Sequence, residues 1–139
     1  MLFRSVWIAA HSRQKLLHPL RSARSYKETA REVEAILEEV GLTANAAELA
    51  GNLSYGDVAL LEIAIALATK PKLLLLDEPV AGMSPSETER TVHKIRDLAK
   101  SLNVILVEHD MEVVFSVADS ITVMNQGAIL CQGSPETVA

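Results

Sequence analysis

Two adjacent carboxylates close an apolar run in this 139-residue sequence, Leu73-Leu74-Leu75-Leu76-Asp77-Glu78-Pro79. If the run is a buried strand, both acids stand at its C-terminal end, the edge where open α/β sheets bind ligands. One carboxylate there can hold a hydrated Mg²⁺, a cation that keeps several of its waters. The other can orient or deprotonate a water, a contribution of about 10²–10⁴ in rate when well placed. Taken alone, the string reads equally well as a strand terminus with surface acids. A second element, Glu108-His109-Asp110, follows the apolar run Val104–Val107. Should the two strands be neighbours, His109 reaches the same sheet edge as Asp77 and Glu78. The third element is Leu53-Ser54-Tyr55-Gly56-Asp57. It opens a helix, so free amides and the positive end of the helix dipole suit an anion, and Gly56 allows close backbone approach. By itself this third element is better explained as simple capping. His11, His18 and His93 lie in polar surroundings and are assigned no role.

The elements that would position these residues can be read from periodicity. Leu2, Phe3, Val6, Trp7 and Ala10 fall near a helical period. The basic stretch around Pro19 predicts an irregular connection. Ser25 and Glu28 have capping-box spacing ahead of a helix carrying Ala30, Val33, Ile36, Leu37 and Val40, and Gly41 is placed to end it. A further helix is expected from about Asp57 to Thr69, apolar on every side and therefore buried, and stopped by Pro71. Beyond Pro71 the pattern changes to alternating strands and helices. Leu73–Leu76 predicts a buried parallel strand. Ser84, Pro85 and Glu87 predict a capped helix whose inner face is Thr88, Val92, Ile95 and Ala99. Val104–Val107 completes a strand–helix–strand unit, expected to cross over right-handedly. A short helix is expected from Met111 to Ala118. Ile121–Met124 and Ala128–Cys131 flank Asn125-Gln126-Gly127, read as a three-residue hairpin loop. Ser134-Pro135-Glu136 starts a last helix.

Composition narrows the function classes. The chain is 49% hydrophobic and 22% charged, which supports a packed core rather than disorder. Its net charge of −5 argues against a nucleic-acid partner, which calls for a basic stripe. A single cysteine, Cys131, excludes an internal disulfide framework. The longest apolar run, Ile63–Ala68, is far short of the roughly 18 residues a spanning helix needs, and no secretory signal is expected at the N-terminus.

In order and spacing, LSYGD, LLLLDEP, AGMSP and VEHD resemble the C-terminal part of an ATP-binding-cassette (ABC) ATPase subunit. The wording is most similar to importers of branched-chain amino acids and their urea-type relatives. The resemblance implies an α/β fold, a partial P-loop NTPase (RecA-like) core with an α-helical subdomain. Residues 1–70 would form the helical, signature-bearing part, and residues 71–139 the partial ATPase core. Asp77 would hold Mg²⁺ through water, Glu78 would polarise the attacking water, and His109 would contact the γ-phosphate. Ser54, Tyr55, Gly56 and Asp57 match the signature that reaches ATP bound mainly to a partner subunit. Ser84 falls in the D-loop. ATP and Mg²⁺ are the implied cofactors. The implied partners are a second ATP-binding subunit and transmembrane permease subunits, with the chain peripheral on the inner face of the cell membrane and not inserted in it.

The sequence also departs from that pattern. Gly51 and Gly56 have the mutual spacing of a phosphate loop, GxxxxGK[ST], but Asp57 and Val58 follow them. An acid there repels phosphate, so the match is fortuitous. The phosphate loop is expected upstream of Met1, and the chain alone is expected to be inactive, as a truncated subunit or a remnant. Tyr55 replaces a signature glycine, Asp57 the usual glutamine and Ser84 the D-loop aspartate. Two other functions compete with the importer subunit: a soluble, non-transport ABC ATPase, and a non-catalytic interaction module that keeps the docking surface.

Overall fold

The computed structural model describes residues 1–13 and 23–139, and the side chains of 23–26 lie outside the description. The expected break at Pro19 and His18 fall in the undescribed stretch. The first helix, α1 (Leu2–Ser12), is set by the stripe Leu2, Val6 and Ala10, all buried. The second, α2 (Ala23–Glu39), begins before Ser25, so Ser25 is a helical residue and not the cap its spacing suggested. Gly41 ends α2 as expected. It adopts φ +80°, and the amides of Gly41 and Leu42 donate to the carbonyls of Glu38 and Leu37 at 3.0 and 2.7 Å. That pair satisfies two carbonyls the helix end would otherwise leave open. Two short 3-10 turns, Thr43–Asn45 and Ala50–Asn52, lead to α3 (Tyr55–Leu67). Leu60, Leu61, Ile63 and Ala64 of α3 are buried, and Leu67 is its last residue, with Lys70 turning the chain at φ +54° ahead of Pro71.

The second half alternates as the sequence predicts: β1 (Leu73–Asp77), α4 (Pro85–Ala99), β2 (Asn103–Val107), α5 (Met111–Val117), β3 (Ile121–Asn125), β4 (Ala128–Gly133) and α6 (Pro135–Val138). Strands β1 and β2 pair in parallel, Leu73 opposite Asn103 through Asp77 opposite Val107. Strands β3 and β4 pair antiparallel as a separate sheet. One apolar cluster joins Leu2 and Val6 of α1, Val33 and Leu37 of α2, and Leu60 and Ile63 of α3 to Leu74 and Leu76 of β1 and Ile95 and Leu98 of α4.

Three further expectations are corrected. β1 is not buried on both faces: Leu74 and Leu76 are covered, whereas Leu73 and Leu75 are exposed, Leu75 to 64%. Side chains alternate across a strand, and only one face of this sheet has helices against it among the described residues. The inner face of α4 is Thr91, Ile95 and Leu98, while Ala99 is exposed. The hairpin loop is two residues long, because Asn125 still pairs with Ala128. Gln126 and Gly127 have φ of 49° and 79°, the positive values of a type I′ turn, whose twist matches that of the flanking strands.

Candidate functional site

The parallel pairing of β1 and β2 puts the C-terminal ends of both strands side by side. Asp77 is the last residue of β1 and is exposed. Glu78 continues the ladder by one bond, its amide donating to the carbonyl of Val107 at 2.9 Å. It then takes φ +46°, a left-handed conformation costly for a residue with a side chain. This turn leaves the Glu78 carboxylate beside His109, two residues past the end of β2. His109 Nδ1 lies 3.3 Å from Glu78 Oε1, with both side chains largely open to solvent. The two candidate catalytic groups therefore meet directly. A contact this exposed contributes little to stability, so the fold does not depend on it.

Sequence reasoning gave no role to Glu108, yet it anchors this edge. Its side chain is only 1% exposed. Oε1 accepts from the amide of Val80 at 3.4 Å and Oε2 from the amide of His109 at 3.2 Å. One buried carboxylate thus ties the turn after Glu78 to the turn carrying His109. The available signal was its position as the residue directly between β2 and His109. Asp110 caps α5, accepting from the amides of Glu112 and Val113. Among the described residues, no three His, Cys, Asp or Glu side chains are grouped to hold a metal ion. Asp77, a single exposed carboxylate, fits Mg²⁺ held through water rather than in a cage of protein ligands.

A second set forms where α3 and α4 begin. Ser54 is the N-cap of α3 and accepts from the amide of Asp57 at 3.2 Å. Tyr55 is exposed and Gly56 is buried. Asp57 forms an ion pair with Arg90 of α4. Ser84 caps α4, and Glu87 closes its capping box: Glu87 Oε2 accepts from the amide of Ser84 at 3.0 Å and from its hydroxyl at 2.6 Å. The other oxygen of Glu87 reaches across to α3, accepting from the amide of Gly56 at 3.4 Å. These donors pull the Glu87 carboxyl from its ordinary 4.5 down to about 2; the Ser84 hydroxyl acts most strongly, then the Ser84 amide, the Ser54 hydroxyl and the Gly56 amide. Hydrogen bonds to the charged form favour it, which is the direction seen. The structure therefore brings Asp77, Glu78 and His109 to one edge, and Ser54, Gly56, Asp57 and Ser84 to another.

The histidines given no role have local partners where they are described. His11 stacks on Trp7 with ring centroids 4.6 Å apart, and His93 pairs with Asp97 at 3.1 Å.

The sequence profile of the ABC transporter family matches residues 3–81. The high-affinity branched-chain amino acid transport ATP-binding protein BraF of Pseudomonas aeruginosa is 48% identical over 104 residues, covering 73% of this chain and 41% of BraF. The protein LivG of Escherichia coli, of the same description, is 44% identical over the same share of each chain. The chain thus spans well under half the length of these curated relatives. Among solved structures, the ATP-binding cassette MJ1267 of an ABC transporter superposes with a TM-score of 0.78 at 27% identity, covering 97% of this chain and 56% of that one. The cbiO1 protein of Clostridium perfringens, part of the ABC transporter complex cbiONQ, gives 0.80 at 26% identity, over 96% and 52%. The fold is the P-loop NTPase fold of these ATPase domains.

Proposed function

The chain belongs to the ABC transporter family, and on that premise we propose that it forms part of an ATP-binding, ATP-hydrolysing subunit that powers an importer. The solute is a branched-chain amino acid or a similar small polar molecule, by similarity to BraF and LivG. The observation that carries the reading is the meeting of Glu78 and His109, 3.3 Å apart, at the shared C-terminal edge of β1 and β2 beside Asp77. An acid and an imidazole at that edge can hold and polarise a water next to a terminal phosphate.

In this reading the Glu78 carboxylate accepts a hydrogen bond from the attacking water and aligns it. His109 turns from Glu78 to the γ-phosphate, and Glu108 fixes the backbone from which it turns. Asp77 would hold Mg²⁺ through water, and the cation would supply charge neutralisation on the phosphates. Ser54, Tyr55, Gly56 and Asp57 present the start of α3 to ATP bound mainly by a second ATP-binding subunit, and Ser84 borders the same interface. Phosphoryl transfer of this kind rests on positioning and electrostatics more than on covalent chemistry. Residues 1–70 and 71–139 are then a signature-bearing part and a hydrolytic part. Permease subunits place the assembly on the inner face of the membrane; among the described residues no helix is long and apolar enough to cross it. The 139 residues by themselves bind MgATP weakly and do not turn it over, since no Lys and Ser/Thr follow Gly51 and Gly56 in the phosphate-loop arrangement.

The test joins this chain to the phosphate-loop segment of a family member and measures phosphate release. Glu78→Gln keeps the shape of the side chain and removes its charge, so turnover falls by about 10²–10⁴. Ser54→Arg blocks the partner's nucleotide. A mixture of the two variants recovers part of the activity, because each mixed dimer contains one intact composite site. A mixture as inactive as either variant alone, with no ATP-dependent dimer on size exclusion, refutes the assignment.

A further inference from the structure

Glu87 bonds to two segments that are separate in sequence. One oxygen caps α4 through Ser84, and the other accepts from Gly56, 31 residues earlier on α3. The approach is close: a Cβ at position 56 would stand 3.1 Å from Glu87 Cβ and 3.2 Å from Cγ, so a side chain there would force Glu87 to give by a few tenths of an ångström. The neighbouring charges, Asp57 on α3 and Arg90 on α4, are paired with each other. They form a second cross-link between the two helices and leave the Glu87 carboxylate to the Ser84, Ser54 and Gly56 donors. A residue needed only to cap α4 would require neither the Gly56 bond nor the close approach.

We propose that Glu87 is a positioning residue whose single carboxylate makes the Ser54–Asp57 segment and the Ser84 turn move as one unit. The inference rests on the reading of Ser54–Asp57 as the segment that faces a nucleotide. Under it, a phosphate seated against Ser54 is sensed at Ser84 through Glu87, with no contact between Ser84 and the phosphate. Glu87 itself touches no reacting atom.

Amide hydrogen exchange on the 139-residue chain tests the linkage. Glu87→Ala removes both acceptor oxygens, so protection falls about tenfold at Ser84 and at Gly56 together, the loss expected for one hydrogen bond. Glu87→Gln keeps length and acceptor and restores protection at both. Release at Ser84 with Gly56 unchanged shows an ordinary helix cap and overturns the proposal, as does no change at either amide. In the joined ATPase described above, Glu87→Ala lowers kcat per folded enzyme and leaves the KM for ATP in place, and Glu87→Gln restores kcat, a rescue that separates loss of the linkage from loss of folded protein. If both amides are released and kcat is unchanged, the nucleotide-facing reading of Ser54–Asp57 fails and the linkage stands. If the amides respond independently, the linkage fails and that reading stands.

Discussion

Replacing Gly56 with alanine isolates the α3–α4 contact in a single methyl group. The new Cβ would meet Glu87 Cβ at 3.1 Å and Glu87 Cγ at 3.2 Å. Carbon atoms prefer about 3.5–4.0 Å, so the two contacts need about 0.3–0.4 Å or more of relief. Cγ can swing away, at the expense of the bond to the Gly56 amide. Cβ cannot, because it rides on the first turn of α4, which Ser84 caps and the Arg90–Asp57 pair holds against α3. Overpacking of this kind costs about 1–3 kcal/mol. Against it, alanine in a helix recovers about 0.5–1 kcal/mol relative to glycine. The net expectation is about 1 kcal/mol of destabilisation, read as a fall in Tm of about 3–5 °C for a chain of this size. Urea unfolding followed by circular dichroism gives the same quantity independently. Gly51→Ala is the control: nothing lies within 4 Å of its added Cβ, so it is neutral or slightly stabilising. An unchanged or raised Tm for Gly56→Ala, with Gly51→Ala behaving as expected, would refute the close-approach argument.

Three further outcomes are expected. Glu87 has its carboxyl lowered to about 2, so its stabilising contribution is fully present above the ordinary 4.5 and is lost as pH falls toward 2. Asp97, held low by Lys100, and Glu136, held low by Ser134, act in the same direction. The Tm of the chain therefore declines between about pH 5 and pH 2, and Glu87→Gln flattens part of that slope; an equal slope in the variant contradicts the assignment. Isothermal calorimetry of the 139-residue chain with MgATP should show weak binding or none, and a submicromolar Kd would disprove this. The exposed sheet face formed by Leu73, Leu75, Ile105 and Val107 should drive self-association, visible as concentration-dependent sedimentation. A monodisperse monomer at high concentration is the contrary result.

The ends of elements were the most legible part of the sequence. Ser54, Ser84 and Gly41 mark helix boundaries because capping is chemistry between residues a few positions apart, and the structure uses all three. The order of strands and helices after Pro71 followed from periodicity for the same local reason. Ser25 shows the limit of such spacing: it lies inside α2, where a cap pattern is overridden by a helix that starts earlier. The inner face of α4 was missed by a fraction of a turn about the helix axis, since Thr88, Val92, Ile95 and Ala99 and the observed Thr91, Ile95 and Leu98 are both helical stripes through Ile95. Only the surface that α4 packs against chooses between them.

The residues of the candidate site could be named from the sequence, because two acids after an apolar run and a histidine after another are local patterns. Their grouping was not a local matter. Asp77 and Glu78 stand beside His109 only because β1 and β2 pair in parallel with Asp77 opposite Val107; a one-residue slip would face the side chains the other way. Tertiary structure also gave Glu108 its buried role and Glu87 its second partner, since burial and a bond spanning 31 residues are set by packing between elements. The sequence determines which chemical groups are available and where each helix and strand begins. Packing decides which of those groups meet, because hydrogen bonds and close contacts act over a few ångströms in space, whatever the distance along the chain.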